Sequence, residues 1–337
     1  MVKVGISDVA ARAGVSEATV SRVLNRRGVV ATGTRRVVEE AIRELGYDRG
    51  GASQLVVVLS PELAQPFFGR LCELIESALA PQGFKAIVCS TTIGGFQEID
   101  FIRSTADLGI AGVIFASASN TLVGADPGVY RLLQKRQIPF VLMNGAIEGS
   151  QAPSFSTNDR VAAELAVDHL WRLGHRDIGM IVGPVGNRPS DRRLEGFITA
   201  MQQRGVEDPH KLFAHQVYSI EGGMSAAETL LDQGVTGLVA ASDYMALGAI
   251  RAARRRGLTV PDDVSVVGYD DSEIMGFVEP PLTTVRQPVE RIAQSIATAM
   301  VHLVSRRQVP NGELLFDPEL IVRSSTGAPP GPVALAS

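Results

Sequence analysis

Asn144, Arg193, Asp243, Asp270 and Gln287 stand at the ends of apolar runs or in the loops that follow them. In such places a carboxylate or a guanidinium can fork onto two neighbouring hydroxyl groups. Flat rings, here Phe67, Phe68 and Tyr218, can cover the apolar face of a pyranose. A set of this kind grips a polyhydroxylated molecule and rejects analogues lacking a hydroxyl, because its own polar groups would be left unpaired. It is not laid out for a reaction. The chain has no Gly-x-Ser-x-Gly elbow, no phosphate loop ending in Gly-Lys-Ser/Thr and no dinucleotide fingerprint after its first strand. No catalytic residue is assigned, no cofactor is expected, and the protein is not read as an enzyme. Each of the eight residues also has a plainer reading, as a helix cap, a surface ion pair or core.

A second set lies near the N-terminus. Glu17, Ala18, Thr19, Ser21, Arg22 and Asn25 share the exposed face of a short helix expected over 17–24, with Ser16 as its cap. Arg can read guanine through paired hydrogen bonds, and Glu can accept from cytosine N4. Short hydroxyl and amide side chains near a helix N-terminus can hold phosphate. Positioning these groups takes three helices, over 6–13, 17–24 and 32–45. Val9, Ala10 and Ala13 face inward from the first, Val20, Val23 and Leu24 from the second, and Val38, Ala41, Ile42 and Leu45 from the third. Gly14-Val15-Ser16 joins the first two, a turn that lets the second helix enter a major groove. The plainer reading is a bundle with a solvated polar face. Charge favours the first: residues 1–50 hold nine Lys/Arg against six Asp/Glu, whereas the remainder holds 23 against 30. A basic head on an acidic body is expected where only the head meets phosphate.

With 337 residues, 45% of them hydrophobic, the chain exceeds one ordinary domain and can bury a large core. From Leu55 onward, apolar strands alternate with amphipathic helices in two runs. That pattern predicts two doubly wound parallel-sheet lobes, with ligand bound in the cleft at the carboxyl ends of the strands. The alternative is a single larger α/β enzyme. The expected divisions are a head over 1–47, a linker over 48–54, a two-lobed body over 55–325 and a disordered tail over 326–337. Lobe 1 takes 55–155 and 287–312; lobe 2 takes 156–285 and 313–325. Cys72 and Cys89 are too few for a disulfide framework or a structural zinc site. His169 and His175, six apart with no third ligand, read as a cap and a core edge, so no metal is expected. Arg254-Arg255-Arg256 closes a helix, where cations favour the dipole. The absence of a leader and of any long apolar run predicts a cytoplasmic protein without a membrane partner.

The stretch Asp8-Val9-Ala10-Ala11-Arg12-Ala13-Gly14-Val15-Ser16, followed by Thr19-Val20-Ser21-Arg22-Val23-Leu24-Asn25, strongly resembles the headpiece of the lac repressor/galactose repressor family of transcriptional regulators. Thr34-Arg35 and Leu45-Gly46-Tyr47 extend the match, and Arg193-Leu194-Glu195-Gly196-Phe197 and Val266-Val267-Gly268-Tyr269-Asp270-Asp271 carry it through the body. The resemblance implies that Glu17, Ala18 and Arg22 read bases and that Ser16, Thr19, Ser21, Asn25 and Thr34 hold phosphate. It further implies an operator of double-stranded DNA, a homodimer, and a small effector contacted by Arg193 and Asp270. The C-terminal half is most similar to maltose-type repressors of high-GC bacteria, so maltose or a maltodextrin is the expected effector, releasing the operator. A regulator of the same fold that responds to a purine or another metabolite, and a soluble sugar-binding protein, are the alternatives. One departure stands out. Only Asp48-Arg49-Gly50-Gly51-Ala52-Ser53-Gln54 separates Tyr47 from the first strand, about ten residues short of the family's linker and with a Gly-Gly pair hostile to helix. The family's hinge helix is therefore expected to be missing, leaving DNA affinity to the headpieces.

Overall fold

The computed structural model describes residues 5–25, 30–45, 54–91, 98–106 and 109–331. Of the linker expected over 48–54, residues 48–53 lie outside the described residues.

The head is built from α1 (Ile6–Ala13), α2 (Glu17–Asn25) and α3 (Thr32–Leu45). Gly14 ends α1 with φ +64°, a left-handed conformation that glycine adopts without steric cost. Ser16 then accepts the Thr19 amide at 3.2 Å and starts α2. Val9, Val20 and Val38, one from each helix, are fully buried in a common core. Leu24, Ile42 and Leu45, expected inside, are only partly covered.

The body begins with β1 (Leu55–Ser60), α4 (Pro66–Leu79), β2 (Lys85–Ser90), α5 (Glu98–Ala106), β3 (Gly112–Ala116), α6 (Gly128–Arg136), β4 (Phe140–Met143) and β5 (Ser154–Thr157). It continues with α7 (Asp159–Leu173), β6 (Ile178–Val182), α8 (Arg188–Gln203), β7 (Phe213–His215), α9 (Ile220–Leu231), β8 (Gly237–Ala240), α10 (Asp243–Arg255), β9 (Ser265–Asp270) and β10 (Thr283–Arg286). Last come α11 (Val289–Val304), β11 (Glu313–Phe316) and β12 (Glu319–Ile321). The strands form two six-stranded sheets, ordered β11-β5-β4-β3-β1-β2 and β12-β10-β9-β8-β6-β7. Every pairing among these strands is parallel except that of β10 with β12. Runs such as Val56-Val57-Val58-Leu59, fully buried, are what a sheet covered on both faces requires.

Three boundaries differ from expectation: the end of lobe 1 at 155, the division at 312 and the start of the tail. The division at residue 312 places β11 in lobe 2, but Glu313 pairs with Ser154 and Phe316 with Thr157, so β11 and the whole of β5 belong to the first sheet. The cause is α11, whose buried face packs with α4 against that sheet and delivers the next strand to its edge. The chain thus passes between lobes after β5, after β10 and after β11. The tail also begins later than expected. Buried His175 contacts the Gly327 carbonyl oxygen through Nε2 at 3.0 Å, and His169 meets Thr326 Oγ1 at 2.9 Å. Residues 326–331 therefore have a place against lobe 2, and 332–337 lie outside the described residues.

In lobe 2, α9 and α10 approach backbone to backbone. A Cβ on Gly248 would run into the Ile220 carbonyl, and one on Gly223 into the Met245 carbonyl. Because neither obstacle is a flexible side chain, Gly248→Ala is expected to lower the unfolding free energy by about 1–3 kcal/mol. Denaturant titration checks this, and a wild-type midpoint would show that the helices part freely.

Candidate functional site

On the head, Ser16, Glu17, Ala18 and Arg22 are exposed on one side of α2, with Thr19, Ser21 and Thr34 half-buried beside them. Ser16 Oγ lies 2.9 Å from Thr19 Oγ1. The side chain of Asn25 falls outside the described residues. Val20 and Val23, on the opposite side of α2, anchor it in the core, so the polar side must face outward. A helix N-terminus with an exposed hydroxyl at its cap and an exposed guanidinium further along is suited to phosphate and base edges.

Between the lobes lies a cavity of about 480 Å³, opening at the carboxyl ends of both sheets. Seven of the eight residues expected there line it: Phe67, Phe68, Asn144, Arg193, Tyr218, Asp270 and Gln287. Strand ends and the first turns of the helices that follow them, α4 for Phe67 and Phe68 and α8 for Arg193, explain the convergence. Ser117 and Asn144 follow β3 and β4 with φ of +62° and +64°, and Asp270 ends β9 with φ +118°. Left-handed backbone in non-glycine residues costs energy and collects at functional sites. Here it turns side chains into the cleft: Asn144 Nδ2 donates to Ser117 Oγ at 2.6 Å.

Arg193 is the hub. Its Nη1 donates to Asp159 Oδ1 at 3.0 Å and its Nη2 to the Tyr218 hydroxyl oxygen at 2.7 Å. The guanidinium carbon sits 4.2 Å from the centre of the Tyr269 ring, whose hydroxyl donates to Asp159 Oδ1 at 2.9 Å. Asp270 Oδ1 accepts from Gln287 Nε2 at 2.7 Å, and Gln287 Oε1 accepts from Thr157 Oγ1 at 2.6 Å. Burial works against the charge on Arg193, but the oxygens of Tyr218, Asp159, Tyr269 and Asp270 outweigh it and keep it cationic. Burial, then the Asp243 carboxylate, pushes Asp270 well above the usual carboxylate range. Among the described residues, Arg193 Nε and Asn144 Oδ1 are buried without a hydrogen-bond partner. The cation is already paired with Asp159, so the described lining offers no spare positive charge to an anion. Its polar groups suit neutral hydroxyls.

Asp243 is the exception. It is 1% exposed, with Oδ2 accepting the Ser272 amide at 2.8 Å and Oδ1 accepting from Thr284 Oγ1 at 2.6 Å. Ser242 caps α10, and the Asp243 side chain bonds to β10 and to the loop after β9, so it braces the site instead of lining it. Burial pushes its carboxyl up to about 7. Several lining residues lie beyond the expected set: Gln65, Thr91, Ser117, Thr121, Asn187 and Tyr269. Most follow a strand, and that position was the available signal.

Both lips of the cleft touch. On one, the Val123 amide donates to the Gly186 carbonyl at 2.8 Å; on the other, the Tyr244 hydroxyl donates to the Ala64 carbonyl at 3.1 Å. Behind them Arg192 of α8 holds Glu313 of β11 through two hydrogen bonds of 2.7 Å. Among the described residues, no helix is long and apolar enough to cross a membrane.

Comparison with known proteins agrees with this layout. Residues 5–49 match the family model of bacterial regulatory proteins of the lacI family, and 167–326 match a periplasmic binding protein-like domain. The chain is 43% identical to the HTH-type transcriptional regulator MalR of Streptomyces coelicolor, covering 97% of each. A structure of the transcriptional regulator CelR in complex with cellobiose superposes with TM-score 0.74 at 30% identity, covering 96% of this chain and 99% of that one. The lac repressor dimer bound to operator and the anti-inducer ONPF gives 0.70 at 28% identity, with the same coverage. With a headpiece, a two-lobed body and full-length relatives of this kind, the chain belongs to the lacI family of DNA-binding transcriptional regulators.

Proposed function

We propose that the protein is a cytoplasmic, homodimeric repressor of sugar-utilisation genes that leaves a near-palindromic operator when an uncharged sugar, maltose or a short maltodextrin, fills the cleft. The observation that carries the effector reading is the matched charge of the cavity, with Arg193 held by Asp159 and Asp270 held by Gln287. Cellobiose in CelR supports a sugar of that size, and the likeness to MalR supports the maltose series. The base-reading residues are Glu17, Ala18 and Arg22; Ser16, Thr19, Ser21, Asn25 and Thr34 hold phosphate. The effector contacts are Arg193, Asp270, Asn144, Gln287, Tyr218, Phe67 and Phe68, with Asp243 acting from behind.

A thermal-shift panel of maltose, maltotriose, cellobiose, ribose, glucose 6-phosphate and purine nucleosides tests the effector class. Maltose and maltotriose are expected to raise Tm, since a ligand at a hundred times its Kd stabilises the folded state by about 2.7 kcal/mol. Glucose 6-phosphate is expected to have no effect. Stabilisation by purines alone would overturn the sugar assignment.

A further inference from the structure

In a parallel sheet every strand starts at the same edge. The edge of the first sheet where β1 begins is therefore also where β2, β3, β4, β5 and β11 begin and where α4, with the exposed Glu76 in its last turn, α5, α6 and α11 end. That edge is cationic. Lys85 opens β2 directly beside Leu55, its amide bonded to the Gln54 carbonyl at 2.7 Å. Lys135 lies in the last turn of α6, while Arg306 and Arg307 follow α11, and all four side chains are exposed. Arg306 lines a hollow with Gln134 and Gln137, so the ends of α6 and α11 lie together. Glu313 starts β11 at this edge but is held by Arg192, and Glu148 stands in the loop leading to β5. Helix dipoles favour cations after α6 and α11, but they give no reason for a lysine at the start of β2. The other basic run is used internally: Arg254 donates to the Glu279 carbonyl, and Arg255 and Arg256 pair with Glu228 and Asp232.

The same edge receives the chain from the headpiece. From Leu45 to Gln54 is nine residues, a reach of at most about 30 Å, so α3 and the duplex it serves are tethered close to these cations. From β2 to β5 the edge spans four strand spacings, about 20 Å, enough to follow several phosphates along one strand. We infer that Lys85, Lys135, Arg306 and Arg307 form a second DNA-binding surface, in which the body itself grips the operator's phosphate backbone without reading its sequence. This rests on the DNA-binding role of the headpiece and adds to it a surface that a short linker brings within range.

The test is fluorescence anisotropy with full-length protein, at several salt concentrations, on a duplex selected by the wild type from a random library and on an unselected duplex. K85A/K135A/R306A/R307A is expected to weaken both complexes at least about tenfold. It should also flatten the dependence of log K on log salt by about 0.9 for each phosphate the protein no longer neutralises. The ratio between the two duplexes should stay unchanged. Thermal unfolding at the wild-type Tm shows the variant folded, and the single charge reversal Lys135→Glu should move affinity the same way. Wild-type affinity and salt slope in both variants would overturn the inference. A wild-type protein with no preference for any selected duplex would instead overturn the headpiece reading.

Discussion

Arg193→Ala is expected to lower the unfolding free energy by about 3–5 kcal/mol, the usual effect of removing one partner of a buried ion pair. Asp159 would be left in a buried site without its counter-ion, the Tyr218 hydroxyl would lose its donor, and the Tyr269 ring would lose the cation stacked on it. Denaturant unfolding measures the change. The same variant should show no thermal shift with maltose, since Arg193 is the one cation lining the cavity among the described residues. Two controls separate fold from recognition. Arg193→Lys keeps the charge and should recover much of the stability, but a single ammonium lacks the planar fork needed to engage two hydroxyls. Combining Arg193→Met with Asp159→Asn should cost far less than the two single changes added together, because no uncompensated charge remains buried. Arg193→Ala with wild-type stability and a wild-type sugar response would show that this residue is not the hub of the site.

The second large effect belongs to the headpiece. Arg22 is exposed on α2, while Val20 and Val23 hold the same helix in the core, so shortening it should leave the fold intact. Arg22→Ala is expected to cost about 1–3 kcal/mol of discrimination, which lowers the ratio of selected to random duplex affinity by roughly 5–150-fold. Binding to random duplex should fall far less. Competition anisotropy reads that ratio directly, and an unchanged ratio would show that the reading face lies elsewhere.

Much of this was legible in the residues because local rules and tertiary structure agree. Gly14 and Ser16 mark the turn between α1 and α2 through a left-handed φ and a side-chain cap, both properties of single residues. A parallel sheet gathers its carboxyl ends, and the starts of the helices that follow them, at one edge, which is why seven of eight expected residues line the cavity. Where position misleads at the site, the reason is that a polar residue at a strand end can turn either way. Asp243 looks like a ligand from its position, yet both its oxygens are taken by Ser272, after β9, and Thr284, in β10. Tyr269 reads as the apolar end of a strand, and only the stacking on Arg193 brings its ring to the cavity wall. Strand β11 has four residues and no local mark of which sheet it joins; the packing of α11 decides that. The partly covered Ile42 and Leu45 show periodicity predicting a face, not how much of it another surface covers.

Filling the cleft should change the grip on DNA, and on that coupling the regulatory role depends. Its most direct test is the affinity of full-length protein for the selected duplex, measured with and without a sugar already shown to raise Tm. Coupling of about 1–3 kcal/mol predicts that the sugar weakens DNA binding some 5–150-fold, and that the duplex lowers sugar affinity by the same factor. A sugar that stabilises the body yet leaves DNA affinity unchanged would contradict this.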